Sequence, residues 1–125
     1  MKKGKVILIV DDNLNFVDRM ISLLEEEANI SHTVVATDFE EAKIQLNLEN
    51  PDVVLLDINL PGKNGIEILK HIREKNYQCE VIMITNHFDE YYRQQCFDLG
   101  AKHFIDKSND FGKVPSIIRE SAVAN

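Results

Sequence analysis

Five residues in this sequence could do together what none does alone: the adjacent acids Asp11 and Asp12, the acid Asp57, the hydroxyl of Thr85 and the ammonium of Lys107. Three carboxylates brought together repel one another, so protons or a cation must join them. An all-oxygen donor set selects a hard ion. Magnesium, which accepts a couple of carboxylates and keeps several waters, suits it better than calcium, because no EF-hand run is present. Holding a metal needs neither Thr85 nor Lys107, yet both are donors suited to phosphoryl oxygens. A metal, a lysine and a hydroxyl around one carboxylate make a phosphoryl-transfer site, in which positioning and charge neutralisation dominate. The carboxylate itself is the nucleophile, giving an aspartyl phosphate. Taken singly, each residue has a plainer reading: a strand-end Asp as a turn or helix cap, Thr85 as a loop residue, Lys107 as a solvated charge.

What joins them is their place in the alternation of elements. Val6-Ile7-Leu8-Ile9-Val10 is a continuous apolar run of the kind a strand shows when both its faces are buried, and it ends at Asp11-Asp12. Phe16, Met20, Leu23 and Leu24 follow at helical spacing. Thr33–Ala36 is a second strand. Asp38 can cap a helix with Glu41 as its capping-box partner, Ala42 and Leu46 give that helix an apolar side, and Pro51 stops it. Val53–Leu56 is a third strand, ending at Asp57, and the turn-rich stretch 59–65 leads to a helix marked by Ile66, Leu69 and Ile72. Val81–Ile84 ends at Thr85. Tyr92, Cys96 and Leu99 define a helix closed by Gly100. His103–Ile105 is a weak fifth strand before Lys107, and Pro115 can open a last helix with Ile117, Ile118 and Ala122 inside. Five strand–helix alternations predict an α/β fold, a doubly wound five-stranded parallel sheet with right-handed crossovers. In such sheets ligands bind beyond the carboxyl ends of the strands, where all five chemical residues fall.

Composition narrows the classes further. The chain has 125 residues, 44% hydrophobic, with a net charge of −7. That is one domain able to bury a core, without the basic face that nucleic-acid binding needs. Cys79 and Cys96 have no zinc or C-x-x-C spacing and read as buried free thiols. The apolar run after the basic N-terminus is too short for a signal peptide, and no stretch reaches membrane-span length, so a cytoplasmic protein is expected.

The sequence resembles the receiver domains of bacterial two-component response regulators, with the (βα)5 flavodoxin-like fold. The resemblance runs from about Lys5 to Ala122, nearly all of residues 1–125. It rests on Val10-Asp11-Asp12-Asn13, Leu56-Asp57-Ile58-Asn59-Leu60-Pro61-Gly62-Lys63-Asn64-Gly65, Ile84-Thr85 and Phe104-Ile105-Asp106-Lys107. It implies that Asp57 accepts a phosphoryl group from a phosphohistidine on a sensor histidine kinase or histidine phosphotransfer protein. Asp12 would hold Mg2+ directly, Asp11 through water, and Asn59 through its backbone carbonyl, with Asp57 completing the set. Lys107 would pair with the phosphoryl group, Thr85 would swing in to hydrogen-bond it, and Phe104 would rotate inward behind it. The face made by the fourth helix, fifth strand and fifth helix would then change for a downstream protein, near Phe88, Tyr91 and Tyr92. Ordinary core packing explains Phe104 equally well.

Two positions depart from the family pattern. Ser108 stands where Pro usually follows the lysine, which predicts a differently shaped or more mobile loop. Asn86 stands where a small residue usually follows the threonine. It is expected to narrow access, slowing both small-donor phosphorylation and hydrolysis; unchanged rates in Asn86→Ala would contradict this. Asn59 and His87 flank the site as well.

Rival readings fare worse. A small aspartate-nucleophile phosphatase needs a second acid two residues after the nucleophile, where Asn59 stands. A flavin carrier needs a phosphate loop after the first strand, where Asp11-Asp12 would repel the phosphate. A phosphorylation-independent binding module would have no need of the full acidic, hydroxyl and lysine set. The expectation is a signalling phosphoacceptor rather than an enzyme, either a stand-alone receiver or relay intermediate or one domain of a longer regulator.

Overall fold

The computed structural model describes residues 4–86 and 89–121. The chain alternates strand and helix throughout: β1 (Lys5–Val10), α1 (Leu14–Leu24), β2 (Ile30–Ala36), α2 (Phe39–Glu49), β3 (Val53–Leu56), α3 (Gly65–Glu74), β4 (Glu80–Thr85), α4 (Glu90–Asp98), β5 (His103–Asp106), a 3-10 turn (Phe111–Lys113) and α5 (Val114–Arg119). All strand pairs are parallel, in the order β2-β1-β3-β4-β5. This is the flavodoxin-like (βα)5 arrangement, with β1, β3, β4 and β5 adjacent.

Alternation along each strand sorts the apolar side chains into two layers. Leu8, Val10, Val54, Leu56, Val81 and Met83 face α2, α3 and α4. Ile7, Ile9, Val53, Leu55, Ile82 and Ile84 face α1 and α5. Because both faces are covered, the strands read as unbroken apolar runs rather than alternating ones.

The helix ends follow local chemistry. Asn13, Asp38, Asn64 and Asp89 each accept a backbone N–H in the first turn of the helix they open. The capping box at α2 is displaced by one residue. Asp38 accepts from Glu41 N at 2.8 Å, but the Glu41 carboxylate reaches back to Thr37, whose N and Oγ1 lie 2.7 and 2.8 Å away. Before Pro51 can act, α2 is ended by Asn50 in the left-handed region at φ 47°. Pro115 lies in the first turn of α5, one residue later than its start, because the 3-10 turn leads directly into it. Ala122, placed on that helix by its periodicity, lies outside the described residues.

Both cysteines are free. Cys96 is fully buried and Cys79 half-buried. Burial pushes the Cys79 thiol up to about 12 and the Cys96 thiol up to about 11, leaving both unreactive at neutral pH. Among the described residues, no helix is long and apolar enough to cross a membrane.

Candidate functional site

The chemical residues sit one step past, or at, the last residue of their strands. Their backbones are held by the sheet itself. Asp11 N donates to Ala36 O at 3.0 Å, Asp57 N to Val10 O at 3.0 Å, and Lys107 N to Thr85 O at 2.9 Å. The hydrogen-bond ladder thus continues past β1, β3 and β5 into Asp11, Asp57 and Lys107.

At this edge the carboxylates of Asp11, Asp12 and Asp57 converge, with an oxygen of each within 4.8 Å of the others. Asp11 and Asp57 are buried, at 1% and 5% exposure, while Asp12 faces solvent. The Lys107 ammonium bridges the two buried acids, 2.7 Å from Asp11 Oδ2 and 3.2 Å from Asp57 Oδ2. Its Nζ also lies over the Phe16 ring, 4.5 Å from the centroid. Sequence reading passed over Phe16, whose helical periodicity gave only a core role.

The charges do not balance. Three carboxylates face one ammonium, and burial pushes the Asp11 carboxyl above its usual range. Hydrogen bonds from Lys107 and from Asn13 N oppose the shift, while the Asp57 charge adds to it. Burial alone would lower Lys107, but the Asp11 hydrogen bond and the charges of Asp57 and Asp11 together outweigh it. The ammonium is held above its ordinary range. A divalent cation would close the remaining deficit of positive charge, and the all-oxygen donor set fits a hard ion.

Thr85 is fully buried at the end of β4, the strand beside the one that leads to Asp57. Asn59 is exposed two residues past Asp57, and its N–H lies 3.3 Å from Asp57 Oδ1. Phe104 is buried on β5, opposite Met83, in the layer facing α4. Tyr91 is 71% exposed on α4, and Tyr92 packs partly into the core. His87 and Phe88 lie outside the described residues.

Gly65 explains why the loop after Asp57 closes so tightly. A Cβ there would run into the Asp57 carbonyl oxygen, and Gly65 N donates to Ile58 O at 2.8 Å. A cleft of about 790 Å³ opens elsewhere, between Asp52, Arg73, Tyr77 and Leu99. A smaller one of about 280 Å³ opens beside Lys107, lined by Asn13, Phe16, Arg19, Asn86 and Ser108.

The two departures from the family pattern meet at the rim of that smaller cleft, where Ser108 Oγ and Asn86 Oδ1 lie 3.4 Å apart. The loop after Lys107 is tied by hydrogen bonds to the carboxylates of Asp106 and Asp110. No cis peptide occurs among the described residues.

A parallel sheet that gathers three carboxylates, a hydroxyl and a bridging lysine at its carboxyl edge defines a class of phosphoacceptor folds. Comparison with known proteins places the chain within it. Residues 7–119 match the response regulator receiver domain family. The chain is 36% identical over 119 residues to the transcriptional regulatory protein CpxR of Escherichia coli (strain K12), covering 92% of this chain and 50% of that protein. It superposes on a two-component response regulator of the LuxR family from Aurantimonas sp. SI85-9A1 with a TM-score of 0.85 at 28% identity, covering 93% and 83% of the two chains. It also superposes on the phosphorylated cyanobacterial phytochrome response regulator RcpA with a TM-score of 0.79 at 26% identity, covering 93% and 89%. The chain belongs to the response regulator receiver domain family and is a signalling domain of two-component systems. It spans about half the length of the curated relatives it matches.

Proposed function

We propose that residues 1–125 form one receiver domain in which Asp57 takes a phosphoryl group from a phosphohistidine on a sensor histidine kinase or a histidine phosphotransfer protein. The observation that carries this reading is the Lys107 ammonium bridging Asp11 and Asp57 inside the three-carboxylate cluster. The solved relative that is itself phosphorylated supports it.

Asp12, Asp57 and the Asn59 carbonyl would hold Mg2+, with Asp11 acting through water. The bound ion supplies charge neutralisation at the attacking carboxylate and the incoming phosphoryl oxygens. Asp57 is the nucleophile, and Lys107 exchanges its pairing with the carboxylate for one with the new phosphoryl group. Thr85 donates its hydroxyl to that group. Phe104 packs behind Thr85, and together they bias the face of α4, β5 and α5 toward the form a downstream protein reads. The domain assists its own phosphorylation and dephosphorylation and turns over no separate substrate.

The acidic balance of the chain disfavours nucleic acid at this domain. Free thiols at Cys79 and Cys96 suit a reducing cytoplasm.

Acetyl phosphate with and without Mg2+, read by intact mass, tests the reading. A gain of about 80 Da, the mass of one phosphoryl group, should need both Mg2+ and Asp57 and vanish in Asp57→Asn. Modification that persists in Asp57→Asn would refute it.

A further inference from the structure

The proline usual after the lysine fixes one backbone angle with its ring and offers no N–H. Ser108 lacks the ring but has the N–H, and the structure uses it. Ser108 N donates to Asp106 Oδ1 at 2.8 Å, and Asn109 N donates to the same oxygen at 3.0 Å. This is an Asx-type turn closed by the residue just before the lysine. Asp106 is itself pinned. Its N–H donates to Asp110 Oδ2 at 2.9 Å, and Asp110 N returns a bond to Asp106 O at 2.9 Å. Asp110 pairs in turn with Lys113 Nζ at 2.9 Å.

Lys107 therefore sits between two fixed points. On one side its own N–H is held by Thr85 O at 2.9 Å. On the other, the next two N–H groups are held by Asp106. A lysine has a flexible four-carbon stem, and its ammonium must reach Asp11 and Asp57 at once. Fixing the backbone on both sides of it limits where that stem can start. Among the described residues, the partners of the Asp106 and Asp110 carboxylates lie in this loop and at Lys113.

We propose that Asp106 is a positioning residue for Lys107, replacing with a carboxylate-closed turn the constraint that a proline ring would supply. The proposal rests on the reading of Lys107 as the cation that serves Asp57.

Two measurements test it, with the melting response to Mg2+ as a control. The first is the rate of phosphoryl gain from acetyl phosphate. Asp106→Ala should slow it about tenfold, in line with the cost of a small misplacement of a reacting group. Asp106→Asn should keep most of the rate, because its amide oxygen accepts from the same N–H groups. In a Lys107→Ala background, Asp106→Ala should cost nothing more, since it acts only through the lysine. The rise in melting temperature on adding Mg2+ should be the same in Asp106→Ala as in the wild type, because Lys107 is not a metal ligand.

The second measurement does not depend on phosphorylation. The 15N signal of the Lys107 ammonium, protected between Asp11 and Asp57, should be lost to fast exchange in Asp106→Ala and return in Asp106→Asn. An Asp106→Ala variant with the wild-type rate and an intact ammonium signal overturns the proposal. So does an equal loss of rate in the Lys107→Ala background, or a parallel loss of the Mg2+ response. A wild-type chain that no donor phosphorylates refutes the reading of Asp57, while the ammonium signal still decides the role of Asp106.

Discussion

Asp11 is almost wholly buried, and burial holds its carboxyl above the ordinary carboxylate range despite the bridge to Lys107. The folded chain thus binds a proton at Asp11 more tightly than the unfolded chain does. That contribution favours the fold in acid and fades as pH rises through the raised value. Where it is ionised and no metal is bound, Asp11 opposes folding. Asp11→Asn should therefore stabilise the metal-free protein by about 1 kcal/mol at pH 7, an order-of-magnitude figure for relieving a desolvated charge. Thermal melts across pH check this: the gain should shrink on acidification, as the wild-type carboxyl takes up its proton, and a gain that grew would contradict the assignment. Lys107 behaves in the opposite sense to an isolated buried lysine. Its raised value means that its contribution is fully present at neutral pH and is lost only in strong alkali.

At the level of elements, the loop from β3 to α3 has almost no slack. Gly65 starts α3 directly against the Asp57 carbonyl. Gly65→Ala must push that helix or the loop away, at a cost of about 2 kcal/mol or more by the usual penalty of overpacking. A lower urea midpoint together with a weaker Mg2+ response would show that the displacement reaches Asp57, and an unchanged midpoint would show that the loop yields freely.

These elements were largely legible in the sequence, because a sheet buried on both faces writes its strands as unbroken apolar runs. Val53–Leu56 matches the observed strand to the residue. The helix ends were less legible. The stop of α2 at Asn50 depends on one left-handed residue, and Pro51 beside it masked the signal. The gathering of Asp11, Asp12, Asp57 and Lys107 at one edge was legible from strand-end position. The Lys107 bridge, the Phe16 ring under it and the Asp106 turn were not, since each depends on side-chain geometry that spacing does not encode. The loop at Ser108, expected to be differently shaped or more mobile for want of proline, is tied by the carboxylates of Asp106 and Asp110.

For the whole molecule, a net charge of −7 means that charges repel across the fold. Screening by any salt relieves part of this, whereas a metal bound at the acidic edge removes charge at one place. Millimolar Mg2+ should thus raise the melting temperature more than NaCl of equal ionic strength, with a saturable dependence on concentration. Asp12→Asn should reduce Mg2+ to the effect of NaCl, and equal responses to the two salts in the wild type would argue against a specific ion.

The hydrogen-bond ladder that runs past β1, β3 and β5 into Asp11, Asp57 and Lys107 also sets a timescale. The amides of these residues belong to the part of a fold that opens last, so they should exchange with deuterium about as slowly as the central strands. If Asp57 takes the phosphoryl group as proposed, its signal would not travel by melting the backbone beneath it. It has to leave through side-chain rotation and loop movement, in microseconds or less rather than in seconds. Rapid exchange at Asp57 N would instead mean that the site opens on its own while the sheet stays closed.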